Sequence, residues 1–480
     1  MQKYSDDFQL PLKDTCLREG TGISNLDGRL WGEVGAETAR FFGDEAMVRA
    51  RVGIEARYLI GLSKAGIFRK FTDKEKETLL TLHRKITPEV YNDLRKIENE
   101  IHHDVMAMIE IFKKLLIDDK LLLKEITPWL HWGLTTYDLD DTAKALMIKN
   151  FIHQVYLPQI SKTLKSIVKL SLETKEVVMV GKTHLQPAVP TLMGKEIILF
   201  GMRLAEIDNK IYNFRLRGKL TGAVGNLAAQ KSVYSKINWL KFSQNFIESL
   251  GLEANLFTTQ IEPKDTLVEL LGLVEQLNLI LIDLSQDMRI YIGFDWLFQE
   301  VKKMEVGSSA MPQKVNPIDF ENSEGNALFS NWILEGLRRQ LPISWLQRDL
   351  VDKTILRNLG VPFGHSLISL LSANKGLSKV SANKEKITEE LNSDWSILSE
   401  AFQTKLRAVG LENGYEKIKE LSRGRKLTRK EVWRWIEKLL VKDSVKEELK
   451  EINPRNYIGY ARENLREMIA KIEAVIKKTA

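Results

Sequence analysis

The sequence holds one cysteine, Cys16, among 480 residues. A lone thiol closes no internal disulfide and builds no thiolate metal cluster. Proline is sparse, 12 in all, and no Pro/Gly/Ser-rich linker divides the chain. Apolar runs are short. The densest, Leu279-Ile280-Leu281-Ile282, stops at Asp283, well short of the ~18 residues a membrane span needs. The first ten residues carry Lys3, Asp6 and Asp7 where a secretory signal would have an apolar core. These absences argue against a disulfide-stapled scaffold and a membrane-embedded protein. They predict a soluble, cytoplasmic one.

What the sequence does have is helical period. Apolar residues recur at three- and four-residue spacing from Asp140 to Glu176, broken only by Pro158, then from Gly194 to Leu220, and again from Asp265 to Met304. In the last stretch Leu267, Leu270, Leu271, Val274, Leu277, Leu281, Leu284 and Met288 mark one face, while Leu273, Leu279, Ile280 and Ile282 occupy others. A helix apolar nearly all round must be enclosed by other helices, within the chain or across a subunit interface. Strand-like alternation is nearly absent, so the expected fold is all-α with a central bundle of long helices. Three helical regions are expected: residues 1–130 with shorter helices, 131–380 with the long bundle, and 381–480, charged and short-helical. The net charge is +7. Its densest basic run is Arg423, Arg425, Lys426, Arg429, Lys430, Arg434 and Lys438, but Glu431 and Glu437 interleave. That pattern reads as a solvated helix face rather than a nucleic-acid patch.

Two loops inside the bundle region stand out. One is Val180-Gly-Lys-Thr-His-Leu-Gln-Pro187; the other runs over 305–317 and contains Gly307-Ser-Ser-Ala-Met-Pro-Gln-Lys-Val-Asn-Pro317. Small residues followed by stiffening prolines let backbone amides converge on an anion, and Lys314 adds a full charge. The string Gly-Ser-Ser-x-Met-Pro-x-Lys-x-Asn-Pro resembles the signature of the fumarase/aspartase superfamily. Its continuation, Pro317-Ile-Asp-Phe-Glu-Asn-Ser-Glu-Gly-Asn326, is similar to that of the adenylosuccinate lyases. So are Thr258-Thr-Gln-Ile-Glu-Pro263, Gly222-Ala-Val-Gly-Asn226, Gln347-Arg-Asp-Leu350, Leu356-Arg-Asn-Leu-Gly360, Asn25-Leu-Asp-Gly-Arg29 and Tyr415-Glu-Lys-Ile-Lys-Glu-Leu421. These motifs span nearly the whole chain in the family's order, and most resemble its longer bacterial type.

The resemblance implies β-elimination: adenylosuccinate gives AMP and fumarate, and the succinyl-aminoimidazole-carboxamide ribotide of purine synthesis loses fumarate likewise. A paralogue acting on argininosuccinate is the alternative within enzymes; a helical scaffold with a basic nucleic-acid-binding tail is the alternative outside them. Removing a proton beside a carboxylate builds negative charge that fixed cations and dipoles stabilise, and a departing nitrogen needs a proton near neutral pH. By resemblance the catalytic set is His184 as general acid and Ser308 as base, with Lys314 and Asn316 stabilising charge. Substrate contacts fall to Arg29, His103, Asp104, His131, Thr135, Thr136, Gln260, Ser309, Asn322, Arg348, Lys353 and Arg357. Lys353 stands where the family has a small hydroxyl residue near the phosphate, Leu30 where it has tyrosine, Lys182 where it has arginine, and Gln313 where many members have histidine. No metal or organic cofactor is implied. Four chains are expected to assemble, with active sites shared between subunits and no membrane association.

Overall fold

The computed structural model describes residues 26–118, 125–300, 311 and 313–479. Helices dominate, and the described strands form only three two-stranded sheets. The chain divides into two compact units. One comprises residues up to Val155 with Arg215–Leu271 and Trp332–Leu367; the other comprises Tyr156–Phe214, Gly272–Asn331 and Ile368–Ala480.

The expected long helices are present with shifted ends. The first begins at Thr136 rather than Asp140, because the Thr135 backbone N–H donates to the Asp138 carboxylate at 2.9 Å and closes the first turn. It runs Thr136–Phe151, passes through a π-helical turn Ile152–Tyr156, and continues as Leu157–Glu173. Pro158 falls in the first turn of that last segment, where its missing N–H costs least. The second long helix is Met193–Asn213.

The third is Asp265–Gly293 and stops well before Met304. Asp295 takes a left-handed φ of 58°, and Leu297–Gln299 then pairs antiparallel with Val380–Ala382. Trp296 is buried between, its Nε1 donating to Glu390 at 2.6 Å. Tertiary anchoring of that indole, invisible to periodicity, ends the helix. The apolar stripe behaves as expected. Leu270, Leu271, Val274, Leu277, Leu281, Leu284 and Met288 have no exposure, whereas Leu279 on the far side is half exposed.

The loop around His184 is instead a hairpin. Val178–Thr183 pairs antiparallel with Gln186–Leu192, so a two-residue turn, His184-Leu185, joins them. Near the C-terminus, the basic run is partly spent on structure. Arg429 stacks 4.3 Å from the Trp433 ring, Thr428 and Glu431 cap the helix Arg429–Glu437, and Lys450 pairs with Glu437.

In the second unit, the helix Met193–Asn213 packs against Leu157–Glu173 and Ala461–Thr479. Asp208 is fully buried there. One carboxylate oxygen accepts from Thr479 Oγ1 at 2.7 Å, and the other has no hydrogen-bond partner among the described residues. Burial pushes its pKa up to about 6 despite the Thr479 bond. Between the ordinary aspartate value and about 6 the folded state therefore holds a proton the unfolded chain has lost, and stability falls as pH rises through that window. Asp208→Asn removes the penalty. We expect it to raise unfolding free energy by about 1–3 kcal/mol at pH 7.5 and to change little near pH 3.5. Urea denaturation at both pH values checks this; an equal effect at both would refute it.

Candidate active site

In the first unit, a buried ion pair organises the region around the Thr135-Thr136 motif. Lys219 and Asp138 are both sealed from solvent, with Lys219 Nζ 2.7 Å from Asp138 Oδ1. The same carboxylate accepts from the backbone N–H groups of Thr135, Thr221 and Gly222. Lys219 Nζ also donates to the Gln260 carbonyl at 2.8 Å. One pair thus ties the start of the helix Thr136–Phe151 to the 219–222 turn and to Gln260. Gly225 completes the turn with φ of 85°, and a Cβ there would stand 1.8 Å from the Thr258 carbonyl oxygen, so only glycine fits.

Gln260 and Arg348, both expected in the site, meet. Arg348 Nη1 donates to Gln260 Oε1 at 3.3 Å, Nη2 donates to the Tyr137 hydroxyl at 3.1 Å, and the guanidinium lies 4.2 Å from the Tyr137 ring centre. The Tyr137 hydroxyl in turn donates to buried Asp352 at 3.2 Å. Burial, with Asp352 nearby, raises the phenol well above its ordinary range, so it stays protonated and can donate to Asp352 while accepting from Arg348.

Asp104 and Lys353 also meet. Lys353 Nζ lies 3.0 and 3.1 Å from the two Asp104 oxygens, and Asp104 accepts from Arg51 Nη2 at 2.8 Å. Arg51, buried, reaches Asp140 through Nε at 2.7 Å. Burial alone would raise the Asp104 carboxyl; Arg51 and Lys353 outweigh it and hold the group far below the usual carboxylate range. Beside this network lies a cavity of about 480 Å³ whose charged lining is mixed: Arg51, Arg95, Lys144, Lys353 and Arg357 with Asp44, Glu98, Asp104 and Asp140, and Arg95 is paired with Glu98 at 2.7 Å. Lys144 Nζ is buried without a hydrogen-bond partner among the described residues. Arg51, Arg95 and Lys353 already have acid partners, so Lys144 and Arg357 are the lining cations left for an anion.

The remaining residues of this half are placed as follows. His131 is half-buried at φ 57°, its N–H donating to Glu55 and its Nδ1 lying 3.4 Å from the other Glu55 oxygen. His103 is exposed, and its Nδ1 accepts from the Met106 N–H at 3.2 Å. Arg29 is exposed and Thr136 half-buried.

In the second unit, His184 sits exposed at the hairpin tip. Its φ of 53° and the 59° of Leu185 are the left-handed pair that a two-residue hairpin turn demands. Lys182 anchors the base of the tip: Nζ bonds Glu390 at 2.6 Å and lies 5.0 and 5.3 Å from the rings of Phe294 and Trp296. Lys314 is exposed and Asn316 half-buried. Asn322 is exposed and donates to Ser372 Oγ at 2.8 Å. Ser308 and Ser309 lie outside the described residues. No cluster of three or more metal-ligating side chains occurs among the described residues.

Sequence reasoning missed Arg51, Tyr137, Asp138, Lys219 and Glu55. Asp138 carried a signal, since Thr135-x-x-Asp138 is a helix-capping pattern. Arg51 and Lys219 carried none.

Comparison with known proteins follows the same lines. Residues 37–328 match the family described as Lyase, and residues 344–458 match Adenylosuccinate lyase C-terminal. Among solved structures, a fumarate lyase from Mesorhizobium sp. BNC1 superposes with a TM-score of 0.72 at 17% identity, over 91% of this chain and 97% of that one. It shows the all-α lyase fold. The adenylosuccinate lyase of Dictyostelium discoideum is 40% identical over 92% of this chain and 97% of its own length; that of Haemophilus influenzae is 38% identical over the same shares. The chain belongs to the adenylosuccinate lyase family.

The Lys219–Asp138 pair gives the sharpest test of this framework. Lys219→Met leaves a buried carboxylate without its cation, a change worth about 3–5 kcal/mol. We expect a matching loss of unfolding free energy by urea denaturation, and an unchanged midpoint would remove the pair from its central place.

Proposed function

We propose that this chain cleaves the C–N bond of adenylosuccinate, giving AMP and fumarate, and releases fumarate from the succinyl-aminoimidazole-carboxamide ribotide in the same site. Ser308 takes the proton from the carbon beside the reacting carboxylate. The electron pair left behind forms the C=C bond of fumarate as the C–N bond breaks. His184 protonates the departing nitrogen. Lys314 and Asn316 stabilise the extra charge that builds on the carboxylate before the bond breaks. Ser309 and Thr135, Thr136, Gln260 and Asn322 contact the succinyl group or the base, with His103 and His131 beside them. Arg29, Arg348, Lys353 and Arg357 take the phosphate and carboxylates, and Asp104 sets the position of Lys353. The reading calls for no metal and no organic cofactor.

The observation that carries it is the linked order of the first unit. Candidates from four separate stretches, around 104, 135, 260 and 348–357, are joined through two ion-pair networks, and the one through Arg51, Asp104 and Lys353 borders a cavity to which Lys144 and Arg357 add further cations. An enzyme that binds a phosphorylated dicarboxylate needs such a surface. The expected tetramer is supported by apolar side chains left uncovered on long helices: Leu279 on Asp265–Gly293, and Phe329 and Trp332 on Ile318–Gln340. Subunits that meet there would share their sites. No helix among the described residues is long and apolar enough to cross a membrane, and a cytoplasmic location suits the purine-pathway role.

Two experiments test the assignments. His184→Ala and Ser308→Ala should each lower kcat by at least ~100-fold in a continuous absorbance assay with adenylosuccinate, with binding retained; near-normal turnover by either variant sinks its role. Lys353→Ser should raise KM by about 10- to 150-fold, the worth of one charge-assisted hydrogen bond, and leave kcat within about twofold, because phosphate is remote from the breaking bond. A large loss of kcat would place Lys353 nearer the reacting carboxylates.

A further inference from the structure

The helices Asp44–Lys64 and Thr136–Phe151 each serve the candidate site with one face. Arg51 projects from the first, and Asp140 and Lys144 from the second. Residues two positions away on a helix point nearly the opposite way. On the first helix Arg49, Gly53 and Arg57 follow at four-residue spacing on that other face, and on the second Leu146 and Asn150 do the same. They line a separate cavity of about 410 Å³, which Arg40 and His83 also border.

The charge of this cavity is one-sided. Among the described residues three guanidiniums and an imidazole line it, and no carboxylate does. Arg40 pairs with Glu37 at 2.9 Å and Arg49 with Glu45, but neither glutamate reaches the lining. Arg49 is held in place by the Ile86 carbonyl, which accepts from its Nε and Nη2 at 3.1 and 2.8 Å. Among the described residues the one hydrogen-bond acceptor of Arg57 is the Gly53 carbonyl on its own helix, at 2.9 Å. Burial lowers its pKa and no acid offsets the effect. His83 is pushed below the ordinary imidazole range by burial, with Arg57 adding to it. Gly53 leaves room between them: a Cβ there would stand 3.4 Å from Arg57 Nη1. The rest of the wall is apolar, with Phe41, Leu146 and Leu250.

We propose that this cavity is a second ligand site, which binds a phosphorylated small molecule bearing an apolar or aromatic body. Planar guanidinium forks match the oxygens of a phosphate, and a dianion supplies the countercharge that Arg57 lacks. The volume is that of a small-molecule pocket, and the apolar wall takes the body attached to the phosphate. The site is distinct from the candidate active site, so nothing in the proposed reaction depends on it.

Phenyl phosphate is a suitable probe, titrated by calorimetry into the full chain. With the candidate active site saturated by AMP, wild type should show one binding event that Arg57→Gln and Arg40→Gln each abolish or weaken at least about tenfold. Both variants should keep adenylosuccinate kcat and KM within about twofold. Arg40 is a safe variant for folding, since 62% of its side chain is exposed. Identical isotherms for wild type and both variants overturn the site, and a KM that shifts together with phenyl phosphate affinity overturns its separateness. Inorganic phosphate titrated in parallel should bind more weakly; equal affinity would refute the role of the apolar wall.

Discussion

The first unit depends on a lysine and an aspartate with no access to water. Lys219 and Asp138 sit at the meeting point of three chain segments distant in sequence, and each contributes more than its charge. The Asp138 carboxylate also gathers three backbone N–H groups, and the Lys219 ammonium also holds a carbonyl. A hydrophobic pair of the same volume would fill the space but could not orient those peptide groups. Directionality is what the pair contributes. Thr135 and Gln260 keep fixed positions because their backbones are hydrogen-bonded to one buried point.

A second layer of charge is built outward from it. Arg51 bridges Asp140 and Asp104, and Lys353 closes the chain from the other side of Asp104. The lysine that departs from the family's usual residue is therefore not a free surface charge. The same holds for Lys182, which bonds Glu390 beneath the His184 turn. Both lysines have an acid partner, and at Lys353 a charge is thereby added without leaving a bare buried ion.

The all-α class and the long helices were legible because periodic apolar positions report burial directly. Leu277 and Leu281 are buried as their spacing demands. The candidate site residues could be named only through motif strings, since Arg348 or Lys353 taken singly has no feature that separates it from a surface cation. What stayed hidden were the groups that position them. Arg51 lies two residues from exposed-looking Arg49 in an ordinary helix, and its partners are 53 and 89 positions away. The hairpin at 178–192 was hidden for a different reason: its strands are short, and its turn uses His-Leu where a sequence reader looks for Asn-Gly.

That turn also limits how this chain can vary. A two-residue connection leaves no slack, so insertion or deletion of one residue between Thr183 and Gln186 would shift the register of one strand against the other and carry the imidazole to the opposite face. Loops elsewhere on the molecule can drift in length over generations at little cost. Here both tip residues hold a backbone conformation that side chains disfavour, and any lineage that keeps the histidine must also keep the length of the turn around it.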